Sequence, residues 1–301
     1  MKKEIKPVLF IVNPQAGNGR CAKRFRQLSR VIEGKYPFEV FFTAQRGDAE
    51  KEAGRAVQKG MTRIFVAGGD GTVNEVINGI GKADVEIGII PFGTGNDLAK
   101  AIQLSRKPKA IEKMVLHQER LKVKAINVGQ INNRHFAIAA GIGFDGLVAK
   151  KANESRVLKK LGALGYLFSV FSVIRAFQPM TIDVQADDAS YQLKNGWLLA
   201  IGNGPFYGGG MKICPTAKVD DDQFDLCMVH SLTKWQLLRF LPKVYSGSHI
   251  HLKNYVHLLR AKKIAVDCHS LAVSHADGEL IDATHLTITL CDYKIRLLTP
   301  E

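Results

Sequence analysis

The sequence predicts a mixed α/β protein in two parts. A mainly parallel sheet with helices on both faces occupies residues 1–121, and a β-rich domain with helical insertions occupies residues 122–290. Three observations predict this. The first 120 residues alternate short apolar runs with amphipathic stretches, the pattern of βαβ units. Those apolar runs are continuous, as in strands covered on both faces. From about Leu121 the pattern changes to short strand-like segments facing each other across turn signals.

Val8 to Val12 is the first apolar run, and the loop NPQAGNGR (Asn13 to Arg20) follows it. Ala22, Phe25, Leu28 and Ile32 then share one helical face. Glu39 to Thr43 reads as a strand. Asp48 is the expected N-cap of a helix carrying Ala49, Ala53, Ala56 and Val57, which Gly60 closes. Arg63 to Ala67 is the third strand, and Val73, Val76, Ile77 and Ile80 fall at helical spacing after it. Ile87 to Ile90 is the fourth strand, before the loop PFGTGND. Leu98, Ala101 and Ile102 begin another helix. Beyond the change of rhythm, Lys122 to Val128 and His135 to Ala139 flank INNR, and Met180 to Gln185 and Tyr191 to Lys194 flank ADDAS; both read as hairpins. Gly196 to Ile201, Phe224 to Val229, Lys263 to Asp267, His285 to Leu290 and Lys294 to Leu298 complete the strands. Helical insertions fall near 147–176 and 232–246. There is no internal repeat and no low-complexity tract.

Composition narrows the class. The 301 residues carry 42 Lys and Arg against 28 Asp and Glu, so 42 − 28 gives a formal charge of +14. With 46% hydrophobic residues the chain can bury a core, which excludes a mostly disordered protein. The positive excess favours an anionic partner, unless much of it is solvated Lys on helix faces. Five scattered cysteines without a CxxC pair argue against a disulfide framework or a zinc site and fit a reducing compartment. The nine histidines form no metal set, with His249, His251 and His257 reading as surface or β-domain residues. Trp197 and Trp235 read as packing residues. The longest apolar run, Leu161 to Ile174, has fourteen residues where a spanning helix needs about 20. Its approach is basic (Lys150, Lys151, Arg156, Lys159 and Lys160). That order suits either contact with an anionic bilayer surface or a core helix with a charged lead-in.

Three loops carry the chemistry. AGGDGTVNEVINGI (Ala67 to Ile80) follows a strand and opens a helix. Gly68, Gly69 and Gly71 allow the backbone to approach a bulky anion, and the helix N-terminus favours phosphate. Asp70 among them makes sense beside phosphates if a Mg²⁺ sits between. Pro91 to Asp97 occupies the equivalent place one unit later, with Thr94 as a hydroxyl donor and Asn96 and Asp97 as cap or metal-facing residues. NPQAGNGR lies on the same rim, where Arg20 or Lys23 could reach a phosphate or remain solvated helix charges. Ligands of α/β folds bind at this rim of the sheet. None of the loops fits GxxxxGK[ST] or GxGxxG.

GGDGTVNEVINGI followed by PFGTGNDLAKAI resembles the diacylglycerol kinase catalytic family, in its bacterial soluble lipid kinase branch. NPQAGNGR, TAQRGDA (Thr43 to Ala49), AAGIGFDGLV (Ala139 to Val148) and HADGE (His275 to Glu279) resemble further stations in order, so the likeness covers essentially the whole chain. The resemblance implies a Rossmann-like nucleotide-binding domain, a β-sandwich-like lipid domain and an active site in the cleft between them, with residues from about 291 returning to the first domain. It implies ATP on Thr43, on Gly68, Gly69, Asp70, Gly71, Thr72, Val73 and Asn74, and on Thr94. Asp70, together with Asp97, would organise a catalytic Mg²⁺. Glu279 would be the general base toward a lipid hydroxyl, although Asp-Gly before it also reads as a plain hairpin turn. A second, structural Mg²⁺ is implied at KVDDDQF, with the carboxylate of Asp221 and the carbonyls of Lys218 and Gln223 as ligands. Asp222 replaces the glycine usual there, which leaves open which Asp binds.

The resemblance points to transfer of the γ-phosphate to diacylglycerol, by a cytoplasmic protein in peripheral contact with an anionic membrane. A homodimer is left open, as is the choice among diacylglycerol, phosphatidylglycerol, a sphingoid base and a polyprenol. The rival readings are an NAD kinase or phosphofructokinase-like enzyme and a non-catalytic lipid or nucleotide binder. Nucleic acid is not expected, because no aromatic-basic surface motif accompanies the charge.

Overall fold

The computed structural model describes residues 7–154, 163–269 and 272–300. The chain divides into two compact units, Met1–Ile126 with Tyr293–Glu301, and Asn127–Asp292.

In the first unit, β1 (Val8–Val12), β2 (Phe38–Phe42), β3 (Arg63–Gly68) and β4 (Glu86–Pro91) are the apolar runs of the sequence. They pair in parallel in the order β2-β1-β3-β4, and Arg296 to Leu298 of a final strand adds in parallel beside β4. α1 (Cys21–Ile32), α2 (Asp48–Gln58) and α3 (Asp70–Ile80) connect them, and each buries the stripe its periodicity marks, such as Phe25, Leu28 and Ile32 of α1. A short α4 (Asp97–Ala101) follows β4. α5 (Pro108–Leu116) was not read from the sequence, although Pro108 at its start is a helix-opening signal. Phe10 is the centre of the core, with Phe25, Phe38 and Phe65 rings 5.3–5.6 Å from its own. Asp48 does not cap α2. Gly47 stands at the cap, and the Asp48 carboxylate instead accepts the N–H groups of Ala44 and Gln45 at 2.9 Å, tightening the loop after Thr43. Those two bonds hold its carboxyl below the usual range.

The second unit is a β-sandwich-like assembly. β5 (Lys122–Ile131) enters it and turns at Asn132-Asn133 into β6 (Arg134–Phe136). β7 (Ala139–Gly143) follows, so the run expected as one strand over His135 to Ala139 is two. α6 (Phe144–Glu154) and α7 (Ala163–Ile174) realise the first helical insertion. Arg156, Lys159, Lys160, Leu161 and Gly162 lie outside the described residues. β8 (Met180–Ala186) turns at Asp187-Asp188 into β9 (Ala189–Gly202). The expected break between Lys194 and Gly196 is absent. Asn195, at φ 53°, is an irregularity inside one strand. β9 pairs with β8 up to Leu193 and once more at Gly196, and from there on it adds β10 (Phe224–His230) and, from Leu198, β7. A strand that changes partners midway needs such a kink.

α8 (Lys234–Ser246) opens on a capping box in which Thr233 and Gln236 bond each other's backbone N–H. β11 (Val256–Ala261) follows, then β12 (Lys263–Cys268), and β13 (Val273–Ala276) with β14 (Glu279–Asp282). β11, β13 and β14 were not read from the sequence. β15 (His285–Thr299) is one strand where two were expected. Its first part pairs with β12 and its last with β4.

Ile142, Leu199, Leu226, Ile264 and Phe224 are among the buried residues of the second core. His249 is buried, not superficial, with Nε2 3.0 Å from the Ile213 carbonyl oxygen. Trp197 packs in the core and donates to the Leu232 carbonyl at 2.8 Å, whereas Trp235 is 82% exposed and packs little. All five cysteines are free thiols. Among the described residues no helix is long and apolar enough to cross a membrane.

On β4, a Cβ at Gly88 would lie 2.3 Å from the Phe65 ring. Gly88→Ala therefore overpacks the first core and is expected to cost about 1–3 kcal/mol in urea unfolding.

Candidate active site

The three loops of interest leave the C-terminal ends of β1, β3 and β4, adjacent strands of one parallel sheet. They interlock by backbone. Gly93 donates to the Gly68 carbonyl at 2.8 Å, and a Cβ on Gly93 would lie 2.3 Å from Gly69 Cα. Likewise a Cβ on Gly17 would lie 2.3 Å from the Phe92 carbonyl oxygen. Side chains then lock the arrangement. Asn13 Nδ2 donates to Thr72 Oγ1 at 3.0 Å, and Asn96 folds back to bond both the N–H and the carbonyl of Gly93. The Leu98 N–H, at the start of α4, donates to Asp70 Oδ1 at 3.2 Å, so α4 orients the carboxylate of α3.

Among the residues expected to meet ATP, Gly71 is exposed with open space around it, which suits a bulky anion at the N-terminus of α3. Thr94 is exposed, while Thr43 is buried at the end of β2 and donates its N–H to Val12. Thr72, Val73 and Asn74 are buried in the first turns of α3, so their side chains support the loop and their backbone is what the rim can offer. Asp97 is buried and ion-paired to Lys100 at 2.9 Å.

A recess of about 650 Å³ opens beside this rim, lined by residues that include Gly17, Gly93, Thr94, Arg20, Lys23, Arg24 and Arg106. Arg24 lies 4.7 Å over the Phe92 ring, and Arg106 donates to the Gly93 carbonyl at 3.2 Å. The sequence pointed to Arg20 and Lys23; Arg24 and Arg106 come into view only with the fold. The open backbone of Gly17 and Gly93 and the four cations of the recess fit a polyphosphate. Asp70 and the N-terminus of α3 belong to the neighbouring loop and do not line the recess, and the Asp70 carboxylate is a donor that would suit a divalent ion.

In the second unit, Asp277 and Gly278, at φ 47° and 87°, form a two-residue hairpin turn between β13 and β14. The Asp277 carboxylate accepts the N–H groups of Ala137, Ile138 and Ala139 at 2.7–3.0 Å, which pins that turn to the start of β7. The turn reading and the site reading of HADGE thus hold together, for the pinned turn fixes Glu279 as the first residue of β14. Glu279 Oε2 is 2.5 Å from Arg134 Nη2 of β6. Beneath lies a pair the sequence did not reveal, His275 Nε2 at 2.6 Å from Asp145 Oδ2, both nearly wholly buried. Burial alone would keep His275 neutral, but the Asp145 charge and hydrogen bond outweigh it and raise its pKa. A Cβ on Gly141 would lie 2.2 Å from Asp145 Oδ2, which explains a glycine in AAGIGFD. The spacing of GFD and HADGE, 130 residues apart, held no signal of the pair.

At KVDDDQF, Asp221 Oδ1 is buried without a hydrogen-bond partner, and its Oδ2 is 3.8 Å from Arg260. Asp222, at φ 59°, adopts the left-handed conformation that a glycine would take there. Among the described residues there is no cluster of three or more His, Cys, Asp or Glu suited to a metal. A site there would therefore depend on one carboxylate and backbone carbonyls.

Two family models match the chain. The diacylglycerol kinase catalytic domain matches residues 7–131, and the YegS C-terminal NAD kinase beta sandwich-like domain matches residues 138–299. A diacylglycerol kinase of Mycobacterium tuberculosis (strain H37Rv) is 29% identical over all of this chain and 97% of its own. A diacylglycerol kinase of Bacillus subtilis (strain 168) is 27% identical over 91% of this chain and 90% of its own. The crystal structure of a candidate diacylglycerol kinase from Bacillus anthracis (strain Sterne) has a TM-score of 0.78 at 25% identity, over 99% of both chains.

Two outcomes follow. Gly93→Ala forces two backbones apart and is expected to weaken ATP binding at least tenfold by calorimetry, while Gly71→Ala, with open space around it, leaves the fold's stability within about 0.5 kcal/mol. The folded pKa of His275 is raised above its unfolded value near ~6.5, so the stability its pairing adds is present below ~6.5 and lost as pH rises through the folded value. Urea titrations across that window should show the decline in wild type and a flatter profile in His275→Asn.

Proposed function

This chain belongs to the diacylglycerol kinase catalytic family, and on that footing we propose that it transfers the γ-phosphate of ATP to a lipid hydroxyl, with diacylglycerol as acceptor and phosphatidic acid as product. It is a lipid kinase, a phosphotransferase. The observation that carries the finer reading is the interlocked pair of glycine loops beside a recess of four cations. Phosphoryl transfer depends on positioning and charge neutralisation more than on covalent chemistry, and this rim offers both.

In this reading the backbone N–H groups from Gly68 to Asn74 hold the triphosphate, with Thr43 and Thr94 at its edges. Arg20, Lys23, Arg24 and Arg106 balance its charge. Asp70, steered by the Leu98 N–H, would hold Mg²⁺, with Asp97 as a second carboxylate. When bound, that ion draws charge from the transferring phosphoryl group. Glu279 takes the proton of the acceptor hydroxyl, and Arg134 fixes the direction of its carboxylate. The pinned hairpin and the buried Asp145–His275 pair keep that carboxylate in place. A second Mg²⁺ is proposed on Asp221 with the carbonyls of Lys218 and Gln223. The unpartnered Asp221 Oδ1 and the glycine-like backbone of Asp222 support it. Because the acceptor lies in a bilayer, we read the chain as a cytoplasmic protein that meets an anionic membrane peripherally.

Glu279→Gln should lower kcat at least about a hundredfold while leaving ATP binding intact. Asp70→Ala should abolish transfer. Turnover near wild type in Glu279→Gln would remove the base from the mechanism, and undiminished kcat in Asp70→Ala would break the metal assignment.

A further inference from the structure

Two helices of the second unit carry an outward face that the fold itself does not use. Among the described side chains of α7, which begin at Phe168, the exposed ones are Phe168, Phe171 and Ser172, with Arg175 just past its end. The spacing i, i+3, i+4, i+7 places them on one side of the helix. Phe168 is 59% exposed and Phe171 52%. On α8 the exposed residues Trp235, Arg239, Pro242, Lys243 and Ser246 repeat the same spacing, and the exposed Tyr245 stands beside that row. The inward sides face a common cavity of about 70 Å³, lined by Val170 of α7 and by the half-buried Leu237, Phe240, Leu241 and Val244 of α8. The helices also meet at their ends, where Lys234 Nζ donates to the Arg175 carbonyl at 2.7 Å.

Neither α7 nor α8 contains an Asp or a Glu. The outward sides of the two helices therefore carry three exposed aromatic rings with Arg175, Arg239 and Lys243, and neither helix supplies an acid. Single exposed apolar side chains need no explanation, but rings and cations sharing a face do. Aromatic rings settle at the level of lipid headgroups, and Lys and Arg beside them attract anionic lipid. A second copy is a poor occupant, since a two-fold contact would set this basic face against itself in a chain of net charge +14.

We propose that the α7–α8 face is a membrane-docking surface that lies on an anionic bilayer, with Trp235, Phe168 and Phe171 entering the headgroup layer. The lipid-kinase reading motivates the choice of a bilayer, but the surface stands on its own exposure and charge. Its test uses no catalysis, so either idea can fail without the other.

The chain has two tryptophans, and Trp197 is buried, so a change in emission on vesicle binding reports Trp235. The full chain is titrated with vesicles of phosphatidylcholine alone and of phosphatidylcholine with phosphatidylglycerol. The expected result is a blue shift and co-sedimentation with the anionic vesicles only, both weakened by salt. Each basic side chain near an anionic surface contributes about 1 kcal/mol, about fivefold, so R239Q/K243Q should weaken partitioning about 25- to 30-fold. These side chains are exposed, and an unchanged urea midpoint verifies that the variant folds. Phe168→Ser with Phe171→Ser should weaken binding with the charge intact. The proposal is overturned by sedimentation with an unmoved Trp235 signal, by equal binding to neutral vesicles, or by full binding of R239Q/K243Q. A blue shift that grows with protein concentration and no vesicles would assign the face to a second copy instead.

Discussion

The backbone-to-backbone approach of Gly69 and Gly93 is the constraint on which the first unit's chemistry depends. The two residues follow neighbouring strands, and no side chain can stand between them. That closeness lets Gly93 bond the end of β3, sets Asn96 against Gly93, and starts α4 where the Leu98 N–H meets Asp70. Gly17 is drawn in against Phe92 by the same economy of side chains, so three loops from three strands form one surface. The cations of the recess then come from elements that those loops launch or receive: Arg20, Lys23 and Arg24 at the start of α1, and Arg106 beyond α4. A site of this kind is rigid because its parts share backbone contacts, and rigidity is what electrostatic stabilisation of a transferring phosphoryl group requires.

The second unit solves a similar problem with buried charge. Asp277 holds three N–H groups, and Asp145 and His275 pair out of water. Arg134 meets Glu279 beside them. A carboxylate at the tip of a four-residue strand would otherwise be poorly directed. Each partner comes from a different element, β6, β7's start, α6 and β13, so the hairpin is fixed from several sides. Charge buried in this way is costly to leave half-paired, and loss of one partner should disturb the others more than a surface ion pair would.

The sequence was most informative where one side-chain rule dominated. Continuous apolar runs located β1, β3 and β4 almost to the residue, and the GGDGT and GTGND loops marked the rim without help from tertiary structure. It was least informative where tertiary pairing overrode local pattern. β9 runs through Asn195 because β8 holds it on both sides while β10 and β7 join it only beyond, and β15 runs through Cys291 to Tyr293, which local polarity marks as a break. β13 and β14 are too short to show a period, and their turn residues mask the strands around them. The His275–Asp145 and Arg134–Glu279 contacts join residues more than a hundred apart in the chain, where spacing carries no information. Trp235 illustrates the opposite failure: a residue type that usually packs stands exposed here, beside the cations of the same helix.

The central claim is that the glycine rim of the first unit delivers phosphate to a lipid hydroxyl. Its most direct test is incubation of the purified chain with γ-labelled ATP and Mg²⁺ in the presence of a total lipid extract, with NAD supplied in parallel, followed by separation of the labelled products. The account predicts label in phosphatidic acid, rising when diacylglycerol is added. Label in the phosphorylated dinucleotide, or bound ATP with no labelled lipid, would contradict it.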